Sequence, residues 1–395
     1  MKILFFTNEY SHPKLPPNGG VGTFFKTISY ELIKKGHEVH IYGFSKKSYS
    51  LNDNGIKITF FKQYFKAHPL AELMRSLSAR LGLSKITAYW LAKERQFLAK
   101  QLKTYSTQNQ IDIIQSFTFN GFTAYWDNSI PLVTRFHGSR GFWHHYLGHK
   151  NDALKIAMEK KALLATPFTV ANSYFSKDFI KSYYNVDVDT VIPNGINTNV
   201  FSPDHSVKEI PKSIFYIGTL SKAKGVQDLV EIFNAIIKEE PNASLHLIGR
   251  GAKYWDYLKA EVFTKEALNK TTYYSHIPFD QIPKKLSEAS IIAVPSKGET
   301  FGFTIVEAMA LEKVTIVSNI PVAQEIINHG IDGFIAKDNN DFKNIILNIF
   351  KNTEETKPIK KQARQKVLSQ FTQEKMTDNT LAYYEKIVAK LNNDQ

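Results

Sequence analysis

Cysteine is absent from all 395 residues. That excludes disulfides, thiolate nucleophiles and cysteine-based metal sites. A reducing compartment is compatible with it, and the expected location is cytoplasmic. No run approaches the ~18 consecutive apolar residues of a membrane-spanning helix. The apolar start, "MKILFFTNEY", is too short for a secretion leader and reads as a first β-strand. Negative charge is also in short supply: 37 Asp and Glu against 50 Lys and Arg leave +13. Such an excess asks for an anionic partner, whether nucleic acid, anionic lipid or a phosphorylated substrate. No repeat of solenoid period occurs. No G-x-x-x-x-G-K-[ST] occurs either, which disfavours P-loop NTPases.

What is present reads as α/β. "KILFFT" is a strand, a loop "HPKLPPNGGVG" follows, and residues 23–35 have a helical pattern that Gly36 stops before the strand "HEVHIYG". This β-loop-α-β unit is the mark of a parallel, doubly wound sheet. Further strands are expected at "IDIIQSF", "IPLVTRF", "FTVAN" and "DTVIPN". After a polar, proline-flanked linker at residues 199–211 the pattern restarts with "SIFYIG", a helix over 226–238, "SLHLIG", "SIIAVPS", "VTIVSN" and "DGFIA". The expectation is two Rossmann-like domains, residues 1–203 and 204–372, facing across a cleft. A last helix, residues 373–395, is expected to pack back on the N-terminal domain through Met376, Leu381, Tyr384, Ile387 and Val388.

Three turns carry candidate chemistry. "NGGVG", residues 18–22, opens a helix after the first strand. Its glycines let backbone approach a ligand, and the helix start offers free N–H groups, so it is either a phosphate seat or a turn that needs glycine. "GTLSKAKG" puts Lys222 and Lys224 where a helix begins. Cations oppose the helix dipole there, so an anion site explains them better than a solvated basic turn. "SKGETFGFTIVEAMA" carries Glu299 and Glu307 around a glycine turn. Carboxylates accept hydrogen bonds only, which suits a polyhydroxylated ligand. The competing reading makes Glu299 a loop acid and Glu307 the far half of a capping box begun at Thr304. N–H donors for phosphate beside carboxylates for hydroxyls describe a nucleotide-sugar pocket.

With "NGGVG", "GHEV", "IPNGIN", Lys224–Gly225, the E-x7-E pair and "EAMA" in this order, nearly the whole chain resembles the retaining glycosyltransferases of family 4, with the GT-B fold. The resemblance implies roles. Glu307 takes the ribose hydroxyls, and Glu299 takes the donor sugar with the N–H groups of Phe301, Gly302 and Phe303. Lys224 neutralises the diphosphate, Gly19 and Gly20 approach sugar and phosphate, and His137 lies near the donor sugar. His137 otherwise reads as a core or loop histidine. Thr304 and Ile277 complete the implied donor site. The chain departs from the family at Thr219, where an arginine is usual, so a bidentate phosphate clamp is missing. Lys222 or Arg250 stands nearby in sequence to replace it.

The resemblance implies metal-independent transfer and no cofactor, the nucleotide-sugar being a substrate. His137, His144, His145 and His149 cluster in sequence, with i,i+4 spacing between the last two, but lack an evident third ligand. UDP-sugars lead as donor and GDP-mannose follows. The acceptor is a glycan or lipid-linked molecule in surface polysaccharide or glycoconjugate synthesis. Residues 61–105 carry nine basic residues against two acidic ones, interleaved with apolar residues at helical spacing. That stretch reads either as an anionic-membrane surface, making the protein peripheral, or as two core-facing helices with solvated basic faces. Two other functions share parts of the pattern. One is a glycoside phosphorylase on the same fold, against which the ribose partner Glu307 argues. The other is a basic nucleic-acid-binding protein, which lacks a recognised module and leaves the glycine turns unexplained.

Overall fold

A computed structural model describes residues 1–16 and 19–393. Asn18, the first residue of "NGGVG", lies outside the described residues, as does the end of the polar C-terminal tail. The chain divides into two compact units, one of Met1–Pro193 with Met376–Gln395 and one of Asn194–Lys375. The divisions thus fall about ten residues before the expected 203 boundary and three after the expected 372 boundary. The difference at the first has a local cause. Residues 194–197 bond to the end of the second unit: the Ile196 amide donates to Phe371 O (2.9 Å) and the Gln373 amide to Ile196 O (2.9 Å).

The first unit is built on an eight-stranded sheet. Its strands are β1 (Lys2–Thr7), β2 (Glu38–Ser45), β3 (Tyr49–Asp53), β4 (Ile56–Lys62), β5 (Ile113–Phe117), β6 (Leu132–Arg135), β7 (Phe168–Ala171) and β8 (Thr190–Val191). Their order is β3-β4-β2-β1-β5-β6-β7-β8. Every pairing is parallel except the β3–β4 hairpin at one edge. Ile3, Leu4, Phe5 and Phe6 in β1 are buried on both faces, which is why the strand reads as a continuous apolar run rather than an alternation. The helix Gly20–Lys34 covers it with Phe24, Phe25, Ile28 and Leu32, and ends before Gly36, whose φ of 84° only glycine adopts freely.

The C-terminal helix Gln373–Asn393 joins the same core through Met376, Tyr383, Tyr384 and Ile387. The Tyr384 hydroxyl donates to Gln115 Oε1 in β5 (2.6 Å), and Tyr383 to Asp189.

The second unit has six parallel strands, β9 (Ser213–Ile217), β10 (Ser244–Ile248), β11 (Thr271–Tyr274), β12 (Ile291–Val294), β13 (Val314–Ser318) and β14 (Phe334–Ala336). Their order is β11-β10-β9-β12-β13-β14. From β9 the chain first builds outward through β10 and β11, then returns to the other side of β9 at β12. The carboxyl ends of β9 and β12 therefore flank the point where strand order reverses, which is where open α/β sheets leave a crevice for ligands. In the first unit the same reversal lies between β1 and β5.

The two helices of the basic stretch differ in burial. The helix Ser84–Gln108 buries Leu91, Leu98 and Leu102 and so is core-facing. The helix Pro69–Arg80 leaves Leu70, Leu73, Met74 and Leu77 exposed. Arg95 and Glu94 do not belong to any surface field, because both are buried and paired with each other.

Candidate active site

The motif residues of the second unit gather at its switch point. After β9 the chain makes a short 3₁₀ turn, Lys222–Lys224, then caps the helix Val226–Glu239 with Gly225. After β12 it runs through residues 295–302 and enters the helix Phe303–Ala310. The two loops touch through backbone. Gly225 has φ 66°, and a Cβ there would lie 1.8 Å from Pro295 O. The Lys297 amide donates to Ala223 O (3.0 Å). Only glycine permits that approach, which is the physical content of the Lys-Gly pair.

This contact brings the charged side chains together. Lys224 Nζ stands 2.6 Å from Glu299 Oε1, and the Ser296 hydroxyl donates to the same oxygen (2.8 Å). The side chains of Lys224 and Glu299 are 38% and 18% exposed. An ion pair that open to water adds little to stability. Ser296 was not singled out by sequence reasoning. The Pro-Ser before the first glutamate was its signal, but nothing in a sequence says which way a serine turns.

The helix Phe303–Ala310 follows the first glutamate's loop and carries the second, and its N-cap is Gly302 at φ 87°, with no side-chain capping bond. The capping-box reading of Thr304 and Glu307 is thereby corrected. Thr304 lies inside the helix, and the glycine in left-handed conformation fixes the entry instead. No hydrogen bond or ion pair to the Glu307 carboxylate is present among the described residues. Half-buried and unpaired, it is difficult to ionise, and desolvation pushes its pKa up from 4.5 to about 7. The amides of Phe303 and Thr304, at the first two helical positions, have no intrahelical acceptor. Buried Phe301 anchors the turn against Phe303 and Phe371 (ring centroids 5.1 and 5.9 Å apart).

Lys222 and Arg250, the two cations nearest in sequence to the arginine missing at Thr219, lie on neighbouring loops. The loops after β9 and β10 run side by side, with the Leu220 amide donating to Arg250 O (2.8 Å). Thr219, Lys222 and Arg250 are all exposed, and no carboxylate holds either cation among the described residues. Ile277 lies half-buried in the segment after β11, two strands from β9, and no hydrogen bond joins it to the glutamate loop.

Gly19, Gly20 and His137 belong to the first unit. Gly19 is the N-cap of the helix Gly20–Lys34, and its amide donates to Glu9 Oε2 (2.9 Å). Nothing lies within 4 Å of a Cβ built on Gly20. His137 follows β6 and packs on Phe24 (ring centroids 4.3 Å apart). Burial, with the Arg135 charge, holds its pKa well below 6.5, so the imidazole is neutral at pH 7. His145 and His149 do not share a helix face. The helix Arg140–Leu147 stops at Gly148, whose φ is 65°. Among the described residues no three His, Asp or Glu side chains form a metal-binding group.

Two family models match the chain in succession. "Glycosyltransferase Family 4" covers residues 18–200 and "Glycosyl transferases group 1" covers 198–366. The chain is a glycosyltransferase of the GT-B, family 4 type. This glycosyltransferase is 25% identical to a probable sucrose-phosphate synthase of Thermosipho melanesiensis, over 98% of the chain and 97% of the relative. It is 23% identical to an alpha-monoglucosyldiacylglycerol synthase of Streptococcus pneumoniae, over 88% of the chain and 78% of the relative. Among solved structures it superposes on Anabaena HepE in complex with UDP-glucose with a TM-score of 0.70, covering 100% of both chains at 19% identity. That likeness agrees on the GT-B fold.

Proposed function

We propose that this glycosyltransferase moves a sugar, with retention at the anomeric carbon, from a nucleotide-sugar to a glycan or lipid-linked acceptor, and that it needs no metal. UDP-sugars are the first donor class and GDP-mannose the second. One observation carries the reading: Glu307, a carboxylate without a partner among the described residues, sits on the helix that follows the loop of the Lys224–Glu299 pair, all at one switch point. Carboxylates there accept from ribose and sugar hydroxyls, while amides and an ammonium receive the diphosphate. HepE with its UDP-glucose, and the glucosyl product in the pneumococcal relative's name, support the donor class.

In the reaction the bond from anomeric carbon to phosphate oxygen breaks and a bond to the acceptor oxygen forms. The acceptor proton passes to the departing phosphate oxygen on the same face. Lys224 and the amides of Phe301, Gly302 and Phe303 stabilise the charge that develops on the diphosphate. The resemblance also assigns Gly19, Gly20 and His137 to the donor, and His137→Ala tests that share separately.

The deciding experiment is thermal shift with UDP, GDP, uridine and inorganic phosphate. A nucleotide at ~100 times its dissociation constant stabilises by about 2.7 kcal/mol. Glu307→Ala is expected to lose most of the UDP and uridine effects, whereas Lys224→Ala loses UDP only. Stabilisation by phosphate with no nucleotide effect would replace this reading with a phosphorylase.

The helix Pro69–Arg80 supports a second element of the proposal, an anionic membrane as the place where acceptor is met. Leu70 and Leu81 are 72% and 71% exposed beside exposed Arg80 and Lys85. Apolar side chains ringed by cations match a lipid surface of opposite charge. The protein is expected to float with vesicles containing phosphatidylglycerol at low salt, and Leu70→Ser/Leu81→Ser to stay behind. Sedimentation of both proteins away from the vesicles would remove the membrane from the proposal.

A further inference from the structure

A cavity of about 540 Å³ opens at the switch point of the first unit. Its walls come from the carboxyl ends of the strands: Asn8 and Glu9 after β1, Ser45 and Lys46 at β2, and Asn120 and Phe122 after β5. All of its lining residues belong to the first unit.

The charge on its walls is one-sided. Lys46, Lys66, Arg75, Arg95, Arg140 and Lys155 line it against three carboxylates, Glu9, Glu72 and Glu94. Each carboxylate is already engaged. Glu72 takes a two-pronged bond from Arg75 (2.9 and 2.9 Å), Glu94 pairs with Arg95, and Glu9 accepts the Gly19 amide (2.9 Å). Asp152, which is not on the wall, pairs with Lys155 (2.8 Å). Counting Asp152, which also stands 3.9 Å from Arg140, and Glu159, which accepts from the Arg140 amide (2.9 Å), leaves six cations against five carboxylates, and the exposed Lys46 and Lys66 have no carboxylate partner among the described residues.

The cations at the floor are fixed rather than mobile. Arg95 is 1% exposed and donates to Gly121 O (3.1 Å) and Asn120 O (2.9 Å). Arg140 donates to the Asn120 side chain. Asn120 is itself in left-handed conformation, φ 63°, and its backbone N–H donates to Oε1 of buried Glu159 (3.0 Å). Glu94 neutralises Arg95, so the net positive charge that the concave wall focuses into the cavity is that of Lys46 and Lys66. A neutral sugar acceptor does not require this. An oxyanion does.

We infer that this cavity seats a phosphate or carboxylate group of the acceptor, so that the acceptor substrate is anionic. The inference rests on the transferase reading for the word acceptor, but the anion site stands on its own geometry.

The test is calorimetric titration of the full-length protein with inorganic phosphate and, separately, malonate, in saturating UDP. At least one anion is expected to bind. Its dissociation constant should rise at least about tenfold in Lys46→Glu/Lys66→Glu. Both lysines are exposed, so the fold should survive, and UDP stabilisation should be unchanged. The tighter of the two anions names the acceptor group. Binding that is lost in Lys224→Ala yet kept in the double variant would assign the anion to the donor site and overturn the inference. Absence of binding by both anions would overturn it too. If UDP stabilises nothing while the double variant still loses phosphate, the anion cavity stands and the donor reading falls.

Discussion

At the scale of single residues the two glutamates differ in kind. Glu299 has partners at 2.6 and 2.8 Å, whereas Glu307 has none among the described residues, and desolvation raises its pKa to about 7. The sign of the resulting pH dependence is opposite to that of a salt-bridged acid. Between about pH 4.5 and 7 the folded chain keeps a proton that the unfolded chain has released. The stabilising contribution is thus complete below 4.5 and is lost as pH rises through about 7. Glu307→Gln is expected to flatten this part of the stability profile, read as Tm from pH 5 to 8. Ribose hydroxyls prefer the ionised carboxylate as acceptor, so nucleotide affinity should move the other way. The Kd for uridine, which has no phosphate to titrate, is expected to be about tenfold weaker at pH 6 than at pH 8. In Glu307→Gln it should be flat. A wild-type Kd independent of pH would show that this carboxylate does not hold the ribose.

At the scale of elements, the site depends on two loops meeting backbone to backbone. Gly225→Ala places a Cβ 1.8 Å from Pro295 O at φ 66°, where both the contact and the conformation resist it. The expected cost is about 2 kcal/mol or more, which lowers Tm by several degrees and weakens UDP with it as Lys224 and Glu299 separate. Gly20→Ala, with open space around it, should leave Tm almost unchanged. Equal Tm values for the two variants would contradict this account of the loop contact.

The same elements show how much could be read beforehand. Strands buried on both faces, such as β1, β9 and β12, announce themselves as apolar runs, and glycine turns after them mark where a site belongs. Strands β3, β4 and β11 were not among the expected strands. "YSLND" and "TTYY" are half-polar edge strands whose pattern does not differ from loop, and "IKITFFK" ends inside the basic stretch that begins at Phe61. The two glutamates of the candidate site were legible because they share one short motif. The cation cavity was not, since Lys46, Arg95 and Arg140 are far apart in sequence and only the parallel sheet brings them to one end.

At the scale of the whole molecule, the chain leaves the first unit after Pro193 and returns to it at Met376. The returning helix is part of a core rather than a tail. Met376, Tyr383, Tyr384 and Ile387 are at most 8% exposed, and burying four such side chains contributes on the order of 6–12 kcal/mol. That is comparable to the entire stability of a typical domain, about 5–15 kcal/mol. The Tyr384 bond to Gln115 adds to it from within β5, whereas the surface pair Lys35–Asp378 (2.6 Å) contributes little. A chain ending at Lys375 is therefore expected to lose cooperative melting of the first unit, although every strand of its sheet is still present. Amide exchange would locate the loss. Protection in β1 and β5 should fall toward that of an unfolded chain, while β9 and β12 in the second unit keep theirs. Retained protection in β5 would mean that the sheet and the helix Gly20–Lys34 suffice, and that the C-terminal helix covers a core it does not complete.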